Sequence, residues 1–522
     1  MLKPFTPDYA DYLRDESRQS GSADTIAFPL STDDVVTIVN QTARSNTPCT
    51  IQGGRTGITA GAVPQGGCII NLSRMRRITA MRYDGKQFLI TVEPGLVLSE
   101  LKTQVSTKKI DTTNWSAESI RAHDLFVNAP EQLFTPDPTE TSATIGGMVA
   151  CNASGARTFM YGPTRAHVSL LKVVLADGSV LVVDRNRQSA VKRNFSLTAE
   201  NQKTYSGKLP AYAMPYVKNA AGYFVKDNMD LIDLFIGAEG TLGIITEIEL
   251  CLVEKPASIK AITVFFQSEN QSIGYVEAIR NSVRQNPPAH ASIAAIEFFD
   301  QGSLNLLRAA KLDGGIFTQP PDLPPSYHSA VYTEFHGTDH DVIDTVLMKC
   351  MESVTAHGGS DDSVWLAETP QELKRLTFFR HAVPELVNKT IDERRKSNPS
   401  ITKLGTDMAV PDIYLKEVFS LYRTGLAESK LEAVLFGHIG NNHIHVNILP
   451  RNEGEYVAGK QLYSAWARQI VRWGGTISAE HGVGKLKNAL LKEMYGDDGI
   501  QQMRELKKIF DPHNRLNPGN LF

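Results

Sequence analysis

Cysteine is scarce in this 522-residue chain, and the few present do not pair by spacing. Cys49, Cys68, Cys151, Cys251 and Cys350 are odd in number and far apart, with no Cys-x-x-Cys. That pattern argues against a disulfide framework and against a cysteine-ligated iron–sulfur cluster within the chain. Long apolar runs are absent too: no stretch approaches the ~18 apolar residues of a membrane span. The opening "MLKPFTPDYADYLRDESRQ" has no apolar core, so no secretory signal is visible. Nor is one sign of charge in excess, and a net charge of -3 gives no footprint for nucleic acid. The expectation is a cytoplasmic protein of a reducing compartment, with peripheral contact at the inner face of a membrane left open. At this length a single core is not enough, since cores stop growing near ~250–300 residues, and several domains are expected.

What is present concentrates near the C-terminus. "AVLFGHIGNNHIHVNILP", from Ala433 to Pro450, reads as a strand, a Gly-Asn-Asn turn and a second strand. With period 2, His443, His445 and Asn447 share one face of the second strand, opposite Ile444, Val446 and Ile448. His438 stands just before the turn, so closing the hairpin brings its ring toward His445. "ISAEHGVGK" then presents Glu480 and His481 ahead of Gly482 and Gly484, which permit close backbone approach. Two imidazoles and a carboxylate suit a divalent transition metal with an open position, with His481 as a candidate base. The same residues also fit histidines packed into a glycine-rich loop without a metal.

Upstream, "STDDVVTIVNQTARSN" predicts a helix capped at Ser31, and "IQGGRTGITAGAVPQGG" follows a strand. Gly53, Gly54, Arg55, Thr56 and Gly57 are not a Rossmann fingerprint, because "CIINLSRM" after them reads as a strand. Such a turn can cradle a pyrophosphate through backbone N–H groups, or be an ordinary tight loop. "FLITVEPG" is a strand and "LVLSELKTQV" a short helix. In "LFTPDPTETSATIGGMVACNASGARTF", Pro138 keeps the chain extended, Thr141 and Thr144 offer hydroxyls, and Gly146, Gly147 and Gly155 permit close approach. "SLLKVVLADGSVLVV" is a hairpin around Asp177-Gly178, and "LFIGAEGTLGIITEIELCL" ends in a strand.

The ordered set GGRTG, DPT…TIGGMVACNASG, GAEGTLGIIT, GHIG…His-x-Asn, SAEHGVG and "FDPHNRLNPGNLF" resembles the FAD-linked D-2-hydroxyacid dehydrogenase branch of the vanillyl-alcohol oxidase/p-cresol methylhydroxylase flavoproteins. That branch includes D-lactate and D-2-hydroxyglutarate dehydrogenases and the FAD subunit of glycolate oxidase. The resemblance implies an α+β fold: a two-subdomain FAD-binding domain over 1–254, a ferredoxin-like cap over 255–470, and a C-terminal helical return over 471–522. In the cap, "IKAITVFF", "IGYVEAIRNSV", "ASIAAIEFFD", "SAVYTEFHG" and "VIDTVLMKCMESV" alternate strand, helix, strand, strand, helix. "QELKRLTFFRHAVPELVNKTI" reads as a further helix and "SITKLGTDMAVP" as a strand ending at Pro411.

The resemblance further implies FAD contacts at Gly53, Gly54, Arg55, Thr56, Gly57, Ile58, Pro138, Thr141, Thr144, Gly146, Gly147, Asn152, Ser154, Gly155, Glu239 and Ile245. Relatives commonly carry Gly, or a flavin-linking His, where Arg55 stands, so noncovalent FAD is expected. The implied metal ligands are His438, His445 and Glu480, with zinc first and manganese or iron as alternatives. His443, where the branch has Asn, competes as a ligand. Arg380 matches an arginine that grips the substrate carboxylate, and Lys403 a lysine that contacts substrate; each also fits a surface role. Asn447 and the base His481 complete the catalytic set. The expected reaction is oxidation of a D-2-hydroxy acid to the 2-oxo acid. Electrons then pass to a separate acceptor: electron-transferring flavoprotein, a quinone or an iron–sulfur subunit. A homodimer is left open. Alternatives are a transferase like alkyl-dihydroxyacetone-phosphate synthase, which lacks the GHIG-type segment, and a non-catalytic electron-relay subunit. Lys108 to Gln132 and Arg185 to Val217 read as insertions, the second basic and expected to be a solvated decoration, with a partner-docking loop as the alternative.

Overall fold

A computed structural model of the chain describes residues 2–285, 291–314 and 322–522. Three sheets carry the architecture. In the first, Cys68–Asn71 pairs in parallel with both Thr25–Ala27 and Cys49–Gln52, and Lys3–Pro4 adds an antiparallel edge. The helix Thr32–Arg44 makes the crossover. Ser31 accepts the Asp34 N–H, and the Asp34 carboxylate accepts the Leu30 N–H, a reciprocal cap just before the buried Val35, Ile38 and Val39. The second sheet is antiparallel, in the order Ile78–Tyr83, Phe88–Val92, Ile244–Cys251, Val168–Val174, Val180–Asp184. The hairpin joining its last two strands turns at Gly178, whose φ of 80° is a glycine conformation.

The third sheet has seven antiparallel strands, in the order Val364–Ala367, Ser258–Phe266, Ser329–Gly337, Ala291–Phe299, Ala433–Gly437, His445–Ile448, Leu404–Gly405. Its first four, counted along the chain, stand in the order 4-1-3-2, which is the ferredoxin-like arrangement expected of the cap. The helices Glu269–Gln285 and His340–Ala356 pack against these strands. Every residue of Ser329–Gly337 is buried, because both sheet faces are covered, one of them by Gln301–Asp313 and Pro370–Arg395. What periodicity did not show is how far the sheet continues into the histidine hairpin. "SITKLGTDMAVP" is a strand only at Leu404–Gly405. Beyond it the pairing is irregular: Thr406 N–H still donates to Val446 O at 3.0 Å, but the Val446 N–H goes to the Thr406 hydroxyl instead of a carbonyl, and Ala409 forms only isolated bridges to His443 and Thr476.

The C-terminal return is the helix Asn488–Phe510, broken at Gly496 (φ 69°), followed by a turn-rich tail that bonds back to the first sheet through one isolated bridge, Leu516 to Cys49. Cys49 N–H donates to Arg515 O at 2.7 Å and Asn517 N–H to Cys49 O at 2.8 Å. The two insertions are packed rather than loose. The first holds the helix Ala117–Asn128, which buries Ala122 and Phe126. The second forms the hairpin Asn194–Thr198/Thr204–Lys208, whose Phe195 and Tyr205 rings lie against Phe510. Its basic run is largely solvated, with Arg187, Val191 and Lys192 exposed, and is pinned at its ends by Arg185 on Asp233 at 2.9 Å and Arg193 on Asp227 at 2.6 Å.

Candidate active site

A cavity of about 470 Å³ lies between the first two sheets and the seven-stranded one. Of the residues expected to hold FAD, Gly53, Gly54, Arg55, Thr56, Gly57 and Ile58 line it along one stretch, and Pro138, Thr144, Gly146, Gly147 and Ser154 along another. Glu239 and Ile245 line it from a third. Thr141, Asn152 and Gly155 do not. Asn152 caps the helix Ile145–Cys151 in a left-handed conformation. Gly155 lets the chain pass Asp137, whose carbonyl oxygen a Cβ there would meet at 1.8 Å. Among the described residues, the N–H groups of Thr56, Gly57 and Ile58 have no protein acceptor. A glycine-rich turn with free N–H groups is a phosphate cradle. Arg55 adopts φ 61°, the conformation a glycine would take without strain, and its guanidinium turns away to stack on Tyr12 at 4.4 Å. Glu239 serves as a clamp, taking the Val483 and Gly484 N–H groups at 2.7 Å each.

The opposite wall carries His438, His445, Asn447, Glu480 and His481. Pairing of Ala433–Gly437 with His445–Ile448 sets Phe436 opposite His445 and brings the His438 and His445 rings to 5.7 Å. His438 binds the buried Glu297 carboxylate through Nδ1 at 2.8 Å, and His445 Nδ1 lies 2.8 Å from Thr406 O. Each ring therefore has its Nδ1 already partnered, and each Nε2 stands 3.2 Å from one oxygen of Glu480. Partnered Nδ1 atoms and Nε2 atoms converging with a carboxylate make a donor set that fits a divalent transition metal. Burial opposes charge on His438, but the Glu297 and Glu480 carboxylates outweigh it and lift its pKa to about 9.

His443 adjoins that set from behind the cavity lining, with its ring 4.2 Å from that of His445 and its own ligand atom within 4.8 Å of the other three. Its Nε2 faces Asp407 at 3.2 Å, and its Nδ1 lies 3.3 Å from the Lys218 ammonium and 3.9 Å from Glu480. Asp407 organises the loop behind the wall. Its carboxylate accepts the N–H groups of Ala479, Glu480 and His481 at 3.1–3.2 Å, the Ser478 hydroxyl at 2.7 Å and the Lys487 ammonium at 2.7 Å. It also faces His481 Nδ1 at 3.4 Å. Burial works against ionisation of Asp407, yet His481, Lys487 and His443 hold its carboxyl well below the usual range. His481 itself is pushed down to about 4, chiefly by burial, against the pull of Asp407 and Glu480, so its ring is neutral and can accept a proton.

Arg380 and Lys403 also line the cavity. Arg380 projects from the helix Pro370–Arg395, whose hydrogen-bond ladder Pro384 interrupts one turn later. Its Nη2 lies 2.8 Å from His381 Nε2 and 3.4 Å from Asp137, while its buried Nε has no acceptor among the described residues. The Asn447 amide nitrogen is buried and unpartnered in the same way. Two orphaned donors on the lining of one cavity call for an anionic or polar ligand. Lys403 donates to Asn388 at 2.8 Å, and its burial together with nearby Arg18 lowers its pKa. Sequence reasoning passed over Asp407, Lys218, Glu297 and His381. Asp407 did leave a signal, a lone acid in an otherwise apolar run, since buried charges need partners.

A family model for the C-terminal domain of FAD-linked oxidases matches residues 255–521, and one for an FAD-binding domain matches 23–121 and 115–184. The chain belongs to the FAD-linked oxidase family. It is an FAD-dependent oxidoreductase of mixed α/β fold. The chain is 27% identical to a D-lactate dehydrogenase of Anaerostipes hadrus, over 98% of its own length and 92% of that protein. It is 27% identical to glycolate oxidase subunit GlcD of Bacillus subtilis strain 168, over 96% and 89%. It is 26% identical to a D-2-hydroxyglutarate dehydrogenase of Xanthomonas citri pv. viticola, over 100% and 94%. By fold the FAD-linked oxidase resembles p-cresol methylhydroxylase, with a TM-score of 0.67 at 14% identity and coverage of 100% and 93%. Alkyldihydroxyacetonephosphate synthase aligns at 0.62 and 15%, covering 99% and 82%. Among the described residues no helix is long and apolar enough to cross a membrane.

Proposed function

We propose that this FAD-linked oxidase converts a D-2-hydroxy acid, D-lactate-like or D-2-hydroxyglutarate-like, to its 2-oxo acid. We assign FAD to residues 1–254, substrate to 255–470 and the return that completes the site to 471–522. The observation that carries the reading is the cavity wall itself. His438, His445 and Glu480, the cavity-lining members of a three-histidine, one-carboxylate cluster, share one lining with Arg380 and Asn447, each of which keeps an orphaned buried donor. The names of the relatives support the same class of substrate.

Arg380 offers its guanidinium charge to the substrate carboxylate, a charge-assisted match of planar groups. Asn447 donates to a second substrate oxygen. His481, kept neutral, takes the hydroxyl proton on Nε2, while Nδ1–H stays directed at Asp407. A divalent metal held by His438, His445 and Glu480 would supply Lewis acidity that lowers the hydroxyl pKa to within reach of this weak base. FAD bound over the Gly53–Ile58 turn would supply the redox chemistry, as acceptor of the hydride equivalent. Its attachment is noncovalent, since Arg55 stands at the position of the linking histidine. A separate acceptor, whether electron-transferring flavoprotein, quinone or iron–sulfur subunit, reoxidises the enzyme.

The decisive test is anaerobic addition of D- and L-2-hydroxy acids to the purified yellow protein, with and without prior chelation. D-acids should bleach the flavin and L-acids should not; preferential bleaching by L-acids overturns the assignment. His438→Ala, His445→Ala and Glu480→Gln should each lose metal and activity while retaining FAD. His481→Asn should retain both and lose ~10²–10⁴-fold in rate. Full activity in protein shown by elemental analysis to be metal-free would remove the metal from the mechanism.

A further inference from the structure

Lys218 reaches the donor set from behind. Its side chain is 3% exposed, and its ammonium stands 2.6 Å from Glu480 Oε2 and 3.3 Å from His443 Nδ1. His438, His445 and Glu480 line the cavity, whereas Lys218 and His443 do not. Both oxygens of Glu480 meet histidines of the wall, but only one meets the ammonium. Oε2 holds Lys218 and also faces His438 Nε2 at 3.2 Å and the Ser154 hydroxyl at 3.3 Å. Oε1 faces His445 and His481, at 3.2 and 3.5 Å. Because it lies outside the cavity lining, Lys218 is not placed to meet the substrate, and its charge acts on Glu480.

We propose that Lys218 is a resident counter-cation that holds the affinity of this site for a divalent metal deliberately low. The inference rests on the metal reading above. Glu480 is the sole anion of the three-residue donor set, and an ammonium in contact with it cancels that charge before any metal arrives. The ammonium also repels a dication bound to the same carboxylate, in a pocket too buried for solvent to screen the repulsion. Outer partners of metal ligands are ordinarily acceptors or neutral donors that steady the ligand, and their loss typically weakens binding by about 10–100-fold. A cationic partner reverses that sign, because it draws charge off the ligand. His443 fits the same arrangement. Its Nε2 faces Asp407 at 3.2 Å, and its Nδ1, 3.9 Å from Glu480, lies 3.3 Å from the same ammonium, whose charge opposes a metal at that nitrogen as well.

The test is chelator-competition titration of metal-stripped, FAD-replete enzyme with Zn²⁺ and with Mn²⁺, comparing the wild type with Lys218→Met and Lys218→Gln. Both variants should bind at least about tenfold more tightly, with FAD content and thermal midpoint monitored alongside. Unchanged or weaker binding in a variant that keeps its FAD would overturn the counter-cation role and make Lys218 a mere support for Glu480. Lys218→Gln retains a donor for Glu480, so it decides the matter if the Met variant does not fold. If the wild type binds metal in a Glu480-dependent way and the variants do not tighten, only this inference falls. If no protein binds metal at all, the metal reading falls and takes this one with it.

Discussion

Replacing Asp407 by Asn is the sharpest perturbation available, because it changes one charge and almost no volume. The carboxylate is 1% exposed and holds Lys487 at 2.7 Å, itself 11% exposed, together with the N–H groups of three successive loop residues. Each hydrogen bond to a charged group contributes ~1.5–3 kcal/mol, but they share one acceptor and do not add. The dominant loss is the uncompensated Lys487 ammonium, and breaking a buried pair costs ~3–5 kcal/mol. A chain with several cores has no single unfolding free energy, so the loss has to be read locally. Amide hydrogen exchange at Ala479, Glu480 and His481 should therefore accelerate by roughly a hundred- to several-thousand-fold. Because that loop carries a proposed ligand and the proposed base, metal content and turnover should fall with it. The double variant Asp407→Asn/Lys487→Met should recover at least part of the protection, since the orphaned cation is gone. Unchanged exchange in the single variant, or a double variant worse than either single, would refute the role given to Asp407.

Other expectations are simpler. Gly155→Ala places a methyl 1.8 Å from Asp137 O, so it should lower the thermal midpoint by the equivalent of ~2 kcal/mol or more. It should also loosen Arg380, which Asp137 pairs; a normal midpoint would show that the backbone yields there. His381 lies below its usual range, at about 4 against 6.5, through burial and the Arg380 charge. Its folded pKa is depressed, so this contribution is complete above pH 6.5 and is lost as pH falls toward 4. His381→Gln should flatten the fall in stability across that window by at most ~3 kcal/mol, read from denaturant midpoints at each pH. Lys403→Ala should hurt turnover of a dicarboxylic D-2-hydroxy acid far more than of D-lactate, and equal losses would remove Lys403 from substrate reading. His443→Asn should retain metal and most activity; behaviour like His445→Ala would make it a ligand.

Much of this site was legible in the chain before it folded. The hairpin from Ala433 to Pro450 follows from strand periodicity and its turn, and with it the approach of His438 to His445. The glycine turn at Gly53–Gly57 is likewise local, because backbone freedom and N–H exposure belong to the residues themselves. Helix caps such as Ser31 also need nothing beyond four residues of sequence. What sequence could not decide is which distant groups neutralise one another. Asp407 meets Lys487 across 80 positions and Lys218 meets Glu480 across 262. No local pattern encodes such pairings, because they are selected by the cost of burying an unpaired charge once the sheets have closed over it. The same closure gives His443 and His445 different places although their rings stand 4.2 Å apart. By period the two share a strand face, but the strand begins at His445, and His443 forms only an isolated bridge to Ala409, with Nε2 facing Asp407 while His445 and His438 turn Nε2 toward Glu480. Spacing thus determined which residue types meet at the wall, and the buried charges behind it decided which atoms each of them presents.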